Sequence, residues 1–112
     1  MGRHVLLNLY DCKEIERLKD LETFTEYICN TLAESHAEVV GSFSHKFQPE
    51  LEAGFTALSL LTTSHFSIHT WPEHASAAVD VFTCGSVDTE NIVTRLVEYF
   101  GSATHTVETV LR

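Results

Sequence analysis

The sequence predicts an α/β fold in two layers: an antiparallel sheet with two helices on one face, in the order β-α-β-β-β-β-α-β. Three observations lead there. Apolar residues recur at intervals of three and four from Leu18 to Leu32 and again from Ile92 to Phe100, the stripe of an amphipathic helix. Around them lie short runs rich in β-branched, aromatic and leucine residues, separated by turn formers. The chain of 112 residues is 44% hydrophobic, enough for one core and too little for two, so residues 1–112 are expected to form a single domain.

Taken in order, Arg3 to Tyr10 carries Val5, Leu6, Leu7 and Leu9, an apolar run suited to a buried strand. Asp11 and Glu14 have the spacing of a capping box. The first helical stripe is Leu18, Leu21, Phe24, Ile28 and Leu32, with Cys29 beside it as a structural thiol. Ala37 to Phe47 and Phe55 to Leu61 read as strands, with Gln48 to Gly54 a polar loop containing Pro49. Ser64 to Trp71 and Ala77 to Cys84 form two more strands, joined by a hairpin loop from Pro72 to Ser76. Asp88 is a good N-cap, Glu90 complements the helix dipole, and Gly101 is placed to end the second helix. Thr104 to Leu111 is the final strand. One sheet face is left without cover, so a homodimer is expected.

Composition narrows the function. A formal charge of −9 opposes binding to a phosphate backbone, so no nucleic-acid partner is expected, and it mildly favours a cationic ligand. Three cysteines (Cys12, Cys29, Cys84) with no CxxC spacing point to reduced thiols and a cytoplasmic setting. No apolar stretch approaches the ~20 residues of a span and no secretory signal pattern is present, so no membrane partner is expected.

The chemistry concentrates in Thr62 to Glu73 and Ala77 to Gly85, which bring hydroxyl, imidazole, carboxylate and thiol groups close together in sequence. His65, His69 and His74 invite a metal. On one strand face, however, His65 and His69 stand about 13 Å apart at a rise of roughly 3.3 Å per residue, too far to share an ion, and no metal is expected. A Ser/His or Cys/His hydrolase lacks its G-x-S-x-G elbow. Strand alternation puts Ser64 and His69 on opposite faces unless Ser64 lies in the turn, so spacing alone assembles no site.

Longer segments say more. Gly2-Arg3-His4 with Tyr10 and Cys12, His45-Lys46-Phe47 with Pro49, Ser64-His65-x-Ser67-Ile68-His69-Thr70-Trp71-Pro72-Glu73 and Ala77-Ala78-x-Asp80-x-Phe82-Thr83-Cys84-Gly85 form an extended pattern. It resembles the small prokaryotic S-adenosylmethionine decarboxylases, proenzymes that make a pyruvoyl cofactor from a serine of their own chain. The resemblance implies that Ser64 attacks the Thr63 carbonyl to give an ester. Elimination of the Thr63 carboxylate then leaves dehydroalanine, which becomes the pyruvoyl group. That group takes the amine of S-adenosylmethionine as a Schiff base, and the product is the aminopropyl donor for spermidine. By the same resemblance His69 and Thr56 assist processing, Cys84 protonates the product carbanion, Glu73 accepts the ribose hydroxyls and Phe47 stacks on adenine.

The chain departs from the family pattern at several places. Thr63 stands where Glu is usual, Thr56 where Ser is usual and Asn8 where an acidic residue is expected. The Gln48–Gly54 loop is longer than expected, and His74-Ala75-Ser76 replaces a more aromatic, Gly-containing loop. Two alternatives therefore stand beside the main reading. One is a pyruvoyl decarboxylase for another amino acid, such as ornithine or arginine, which would need neither Phe47 nor Glu73. The other is a binding or regulatory homologue that is never cut.

Overall fold

The structure, a computed structural model, describes residues 2–47 and 53–112. Its strands are β1 (Gly2–Cys12), β2 (Val39–Lys46), β3 (Phe55–Leu61), β4 (His65–Trp71), β5 (Ser76–Cys84) and β6 (Ser102–Leu111). Its helices are α1 (Ile15–Lys19), α2 (Leu21–Glu34) and α3 (Thr89–Phe100). The strands form one six-stranded sheet in the order β2-β3-β4-β5-β1-β6, with every neighbouring pair antiparallel.

The two-layer α/β architecture and the six strands are as predicted, but the first helix is divided. Asp20 leaves helical geometry at φ −91°, ψ 87°, and its carboxylate accepts from the Thr23 backbone N–H at 3.0 Å and the Thr23 hydroxyl at 2.6 Å. A short acceptor that caps the following turn competes with continuation of the helix through it, so the predicted single helix is two. The expected Asp11–Glu14 capping box does not form. Asp11 sits inside β1 with φ 50°, and Glu14 precedes α1 without a side-chain bond to its end. The strand continues past Tyr10 because Cys12 pairs with Ser102 and its N–H donates to the Ala75 carbonyl at 2.9 Å. The Pro72–Ser76 hairpin loop contains a 3-10 turn at Pro72–His74, closed by Ala75 at φ 49°. Of the predicted Gln48–Gly54 loop, residues 48–52 lie outside the described residues.

Alternation along the strands sorts the sheet into two faces. Val5, Leu7 and Leu9 of β1, Phe66 and Ile68 of β4, and Ala77, Val79 and Val81 of β5 are buried under the helices. Phe24 of α2 centres this layer, with ring centroids 5.3 Å from Phe55, 5.7 Å from Phe100 and 5.9 Å from Tyr99. The buried Thr70 hydroxyl donates to the Leu18 carbonyl at 2.7 Å and accepts the Phe55 N–H at 2.9 Å, so it costs little despite lying in the core. Gly54 is required beside it, since a Cβ there would fall 2.2 Å from the Thr70 carbonyl oxygen.

Among the described residues, the opposite face carries no helix. Its rows follow from the strand register: Leu60, His65, Phe82, His4 and Val110 form one, and Thr56, His69, Ala78, Asn8 and Thr106 another. Exposed Phe43, Leu60, Trp71 and Val110 lie on or beside it.

Candidate active site

Ser64 lies in the turn between β3 and β4, not in the strand, which removes the alternation that would have turned it from the open face. The turn is closed by the Leu61 N–H donating to the Ser64 carbonyl at 3.0 Å. The half-buried Ser64 Oγ accepts the Cys84 backbone N–H at 3.0 Å and lies 3.3 Å from the Thr63 hydroxyl. The strand end that carries Cys84 is thereby tied to the serine. Thr63, Ser64, His65, Phe82, Cys84, Gly2 and Arg112 surround one cleft of about 630 Å³. The contact between Ser64 and Cys84, 20 residues apart, is the decisive juxtaposition.

A second group gathers at the other end of β4. His69 Nδ1 and Thr56 Oγ1 share a hydrogen bond of 2.9 Å across the β3–β4 pair, and His69 lies 6.1 Å from the Trp71 ring. Glu73 is exposed in the 3-10 turn that follows. Phe47, 38% exposed, packs edge-on to His45 at 5.1 Å, and its N–H donates to the Gly54 carbonyl at 3.0 Å. The predicted site residues thus fall into two clusters, Thr63–Ser64–Cys84 and Phe47–Thr56–His69–Glu73. Ser64 stands five residues before His69 along β4, roughly 16 Å at about 3.3 Å per residue, and farther from Glu73 beyond the strand's end, so one chain does not bring Ser64 to His69 or Glu73.

Comparison with known proteins decides the family. The model of the S-adenosylmethionine decarboxylase family matches residues 3–112. The chain belongs to the S-adenosylmethionine decarboxylase family. It is 35% identical to an S-adenosylmethionine decarboxylase proenzyme of Pseudomonas aeruginosa over all of its own length and 68% of that protein. It is 46% identical to one from Prochlorococcus marinus over 76% of this chain, which spans 65% of the relative's length. The crystal structure of the adenosylmethionine decarboxylase from Aquifex aeolicus superposes with a TM-score of 0.88 at 28% identity, covering all of this chain and 90% of the other. The fold expected of the family is therefore the fold found.

Two features of this family member were not singled out from the sequence. His4 Nε2 and Asp80 Oδ1 form a half-buried pair of 3.0 Å in the middle of the open face, and Arg112 joins the Ser64 cleft. The first joins β1 to β5 and the second brings the residue after β6 to the turn before β4, over distances that no local pattern reveals. His4 and Asp80 stood within the resembling segments, so their signal lay in the motif rather than in the spacing, whereas Arg112 lay outside every one of those segments.

Proposed function

We propose that the chain cuts itself between Thr63 and Ser64 and then decarboxylates S-adenosylmethionine. The observation that carries this reading is the Ser64 turn, which holds a serine hydroxyl against the Cys84 N–H at the mouth of a shared cleft. The Cys84 N–H occupies one lone pair of Ser64 Oγ and fixes its rotamer, while the adjacent peptide carbonyl of Thr63 is the electrophile. Only that carbonyl reacts, so a Thr side chain at this position is compatible with the chemistry.

The residues present fit a pyruvoyl group at position 64. The side chain there is small and half-buried, and it opens onto a cleft large enough to admit an amino-acid head group. Such a group supplies an electron sink for the charge released with CO2. Cys84, whose side chain borders the same cleft, is placed to deliver a proton to the product carbon. Glu73 accepts the ribose hydroxyls as a carboxylate, and Phe47 offers its exposed ring to adenine.

Because Glu73, Phe47, His69 and Thr56 stand about a strand's length from Ser64, the complete site is built from two chains packed on their open faces in opposite senses. The Thr56–His69 pair of one chain then meets the Thr63–Ser64 bond of its partner, and the homodimer becomes part of the active site. Denaturing mass spectrometry of the intact protein tests the reading. Two fragments divided between Thr63 and Ser64, the second with a blocked keto-acyl end, are expected, and Ser64→Ala should stay whole. A wild-type chain that remains uncut after prolonged incubation would overturn the proposal.

A further inference from the structure

Arg112 is the one permanently charged residue among the described residues lining the Ser64 cleft. We propose, resting on the processing read above, that its guanidinium stabilises the carboxylate that departs from Ser64 during self-cleavage and afterwards holds the new chain end at Thr63. Its position is built by the sheet. Gly2 and Arg112 exchange backbone hydrogen bonds of 3.0 and 2.8 Å, and Gly2 pairs with Cys84, so Arg112, Gly2 and Cys84 form one row across three segments. The middle position of that row has no side chain. A Cβ on Gly2 would lie 2.4 Å from Phe82 Cε1, so the Phe82 ring occupies the notch that the glycine leaves. Over that ring lies the Arg112 guanidinium carbon, 5.4 Å from the centroid, a cation–π contact that restrains a flexible side chain at the cleft.

Two carboxylates are candidates for this cation, and the direction of charge flow separates them. In decarboxylation the substrate carboxylate loses its charge on the way to the transition state. A guanidinium bound to it would favour the ground state and slow the step. In self-cleavage the charge grows. The ester joins the Thr63 carbonyl carbon to Ser64 Oγ. The His69 imidazole that the two-chain site brings to this bond takes the proton from the Ser64 α-carbon, that electron pair forms the Cα=Cβ bond, and the Cβ–Oγ bond breaks with its pair passing to Thr63. The Thr63 carboxylate leaves with both oxygens and a full negative charge. A fixed cation nearby is worth more in that transition state than in the neutral ester, which is the condition for catalysis. Thr63 and Arg112 border the same cleft, so the leaving group forms in a cleft that the cation lines.

The test compares wild type, Arg112→Ala and Arg112→Lys as full-length chains. Cutting is followed in time by denaturing mass spectrometry, with and without hydroxylamine, which cleaves the ester but leaves the amide. Arg112→Ala should be cut about 10²-fold more slowly, the lower end of what loss of one charge-stabilising group costs. It should also accumulate chains that hydroxylamine splits, ending in a Thr63 hydroxamate. Arg112→Lys should recover most of the rate, because the charge is kept. Cutting of Arg112→Ala at the wild-type rate would overturn the inference. So would equal slowing of both variants without a hydroxylamine-sensitive ester, since a merely structural role would not arrest the reaction at that stage. If wild type itself stays whole, the processing reading fails and this inference with it. If wild type cuts beside an unaffected Arg112→Ala, only the role of Arg112 fails.

Discussion

At the scale of single residues, Cys84 combines two tasks that a mutation separates. Its backbone N–H holds Ser64 Oγ, a role any residue but proline can fill, whereas its thiol is the candidate acid. Cys84→Ala should therefore leave self-cleavage largely intact and lower turnover by about 10²-fold, the usual scale for a positioned acid. Misplaced protonation should also transfer the amine onto the chain and inactivate it progressively. Near-normal turnover in steady-state assays would remove Cys84 from the mechanism. Glu73→Gln should raise KM with a smaller change in kcat, because it weakens an acceptor for bound substrate rather than a reacting group. In the core, Phe24 is fully buried against Phe55, Phe100 and Tyr99. Phe24→Ala should cost about 3–5 kcal/mol in denaturant titration, the range for emptying a packed aromatic site.

At the scale of elements, Asp20 decides where α1 ends and α2 begins. Hydrogen bonds from Thr23, first from its side chain and then from its backbone, hold the Asp20 carboxyl below the usual carboxylate range, against a smaller opposing effect of burial. A carboxyl depressed in the folded state contributes stability that is present above its unfolded pKa, about 3.9, and is lost as pH falls through the lower folded value. Asp20→Ala should lower the urea midpoint at neutral pH, at a cap's usual cost of about 1 kcal/mol. The two proteins should converge in acid, below the folded pKa of Asp20. Parallel curves down to the lowest pH would show that the cap does not titrate as described. The far end of α3 is fixed differently. Gly101 takes φ 60°, and a Cβ there would lie 3.3 Å from Glu14 Cγ, so β6 can begin one residue after the helix stops.

At the scale of the whole molecule, the two-chain site proposed above answers the open sheet face and the divided site together. In it a second copy would cover exposed Phe43, Leu60, Trp71 and Val110 and bring its Glu73 to the first copy's Ser64. Light scattering at micromolar concentration should report a dimer, with more than about 1,200 Å² buried, the range of specific interfaces. Complementation reads the same arrangement through activity. Ser64→Ala and Glu73→Gln chains, each poor alone, should regain about a quarter of the wild-type activity when co-expressed, since half of randomly paired two-fold dimers are mixed and each mixed dimer holds one intact site. No gain on mixing would place Glu73 and Ser64 of each working site in one chain.

Much of this was legible in the sequence because it depends on local periodicity. The spacing of Leu21 to Leu32 and Ile92 to Phe100, the Asp88 cap, the Gly101 stop and the span of β3 are set by residues within a few positions of one another. The family resemblance likewise lay in contiguous segments, and with it the candidate roles of Ser64, His69, Cys84 and Glu73. Tertiary structure alone decided which of those residues meet. It joined Ser64 to Cys84 through the Cys84 backbone N–H and Thr56 to His69 across a strand pair. It kept the two groups at opposite ends of β4 and carried Arg112 across Gly2 to the cleft. The division has a physical cause: periodicity assigns a side chain to a face, whereas its neighbours there are fixed by the register of strands distant in sequence, and that register is chosen by the packing of the whole sheet.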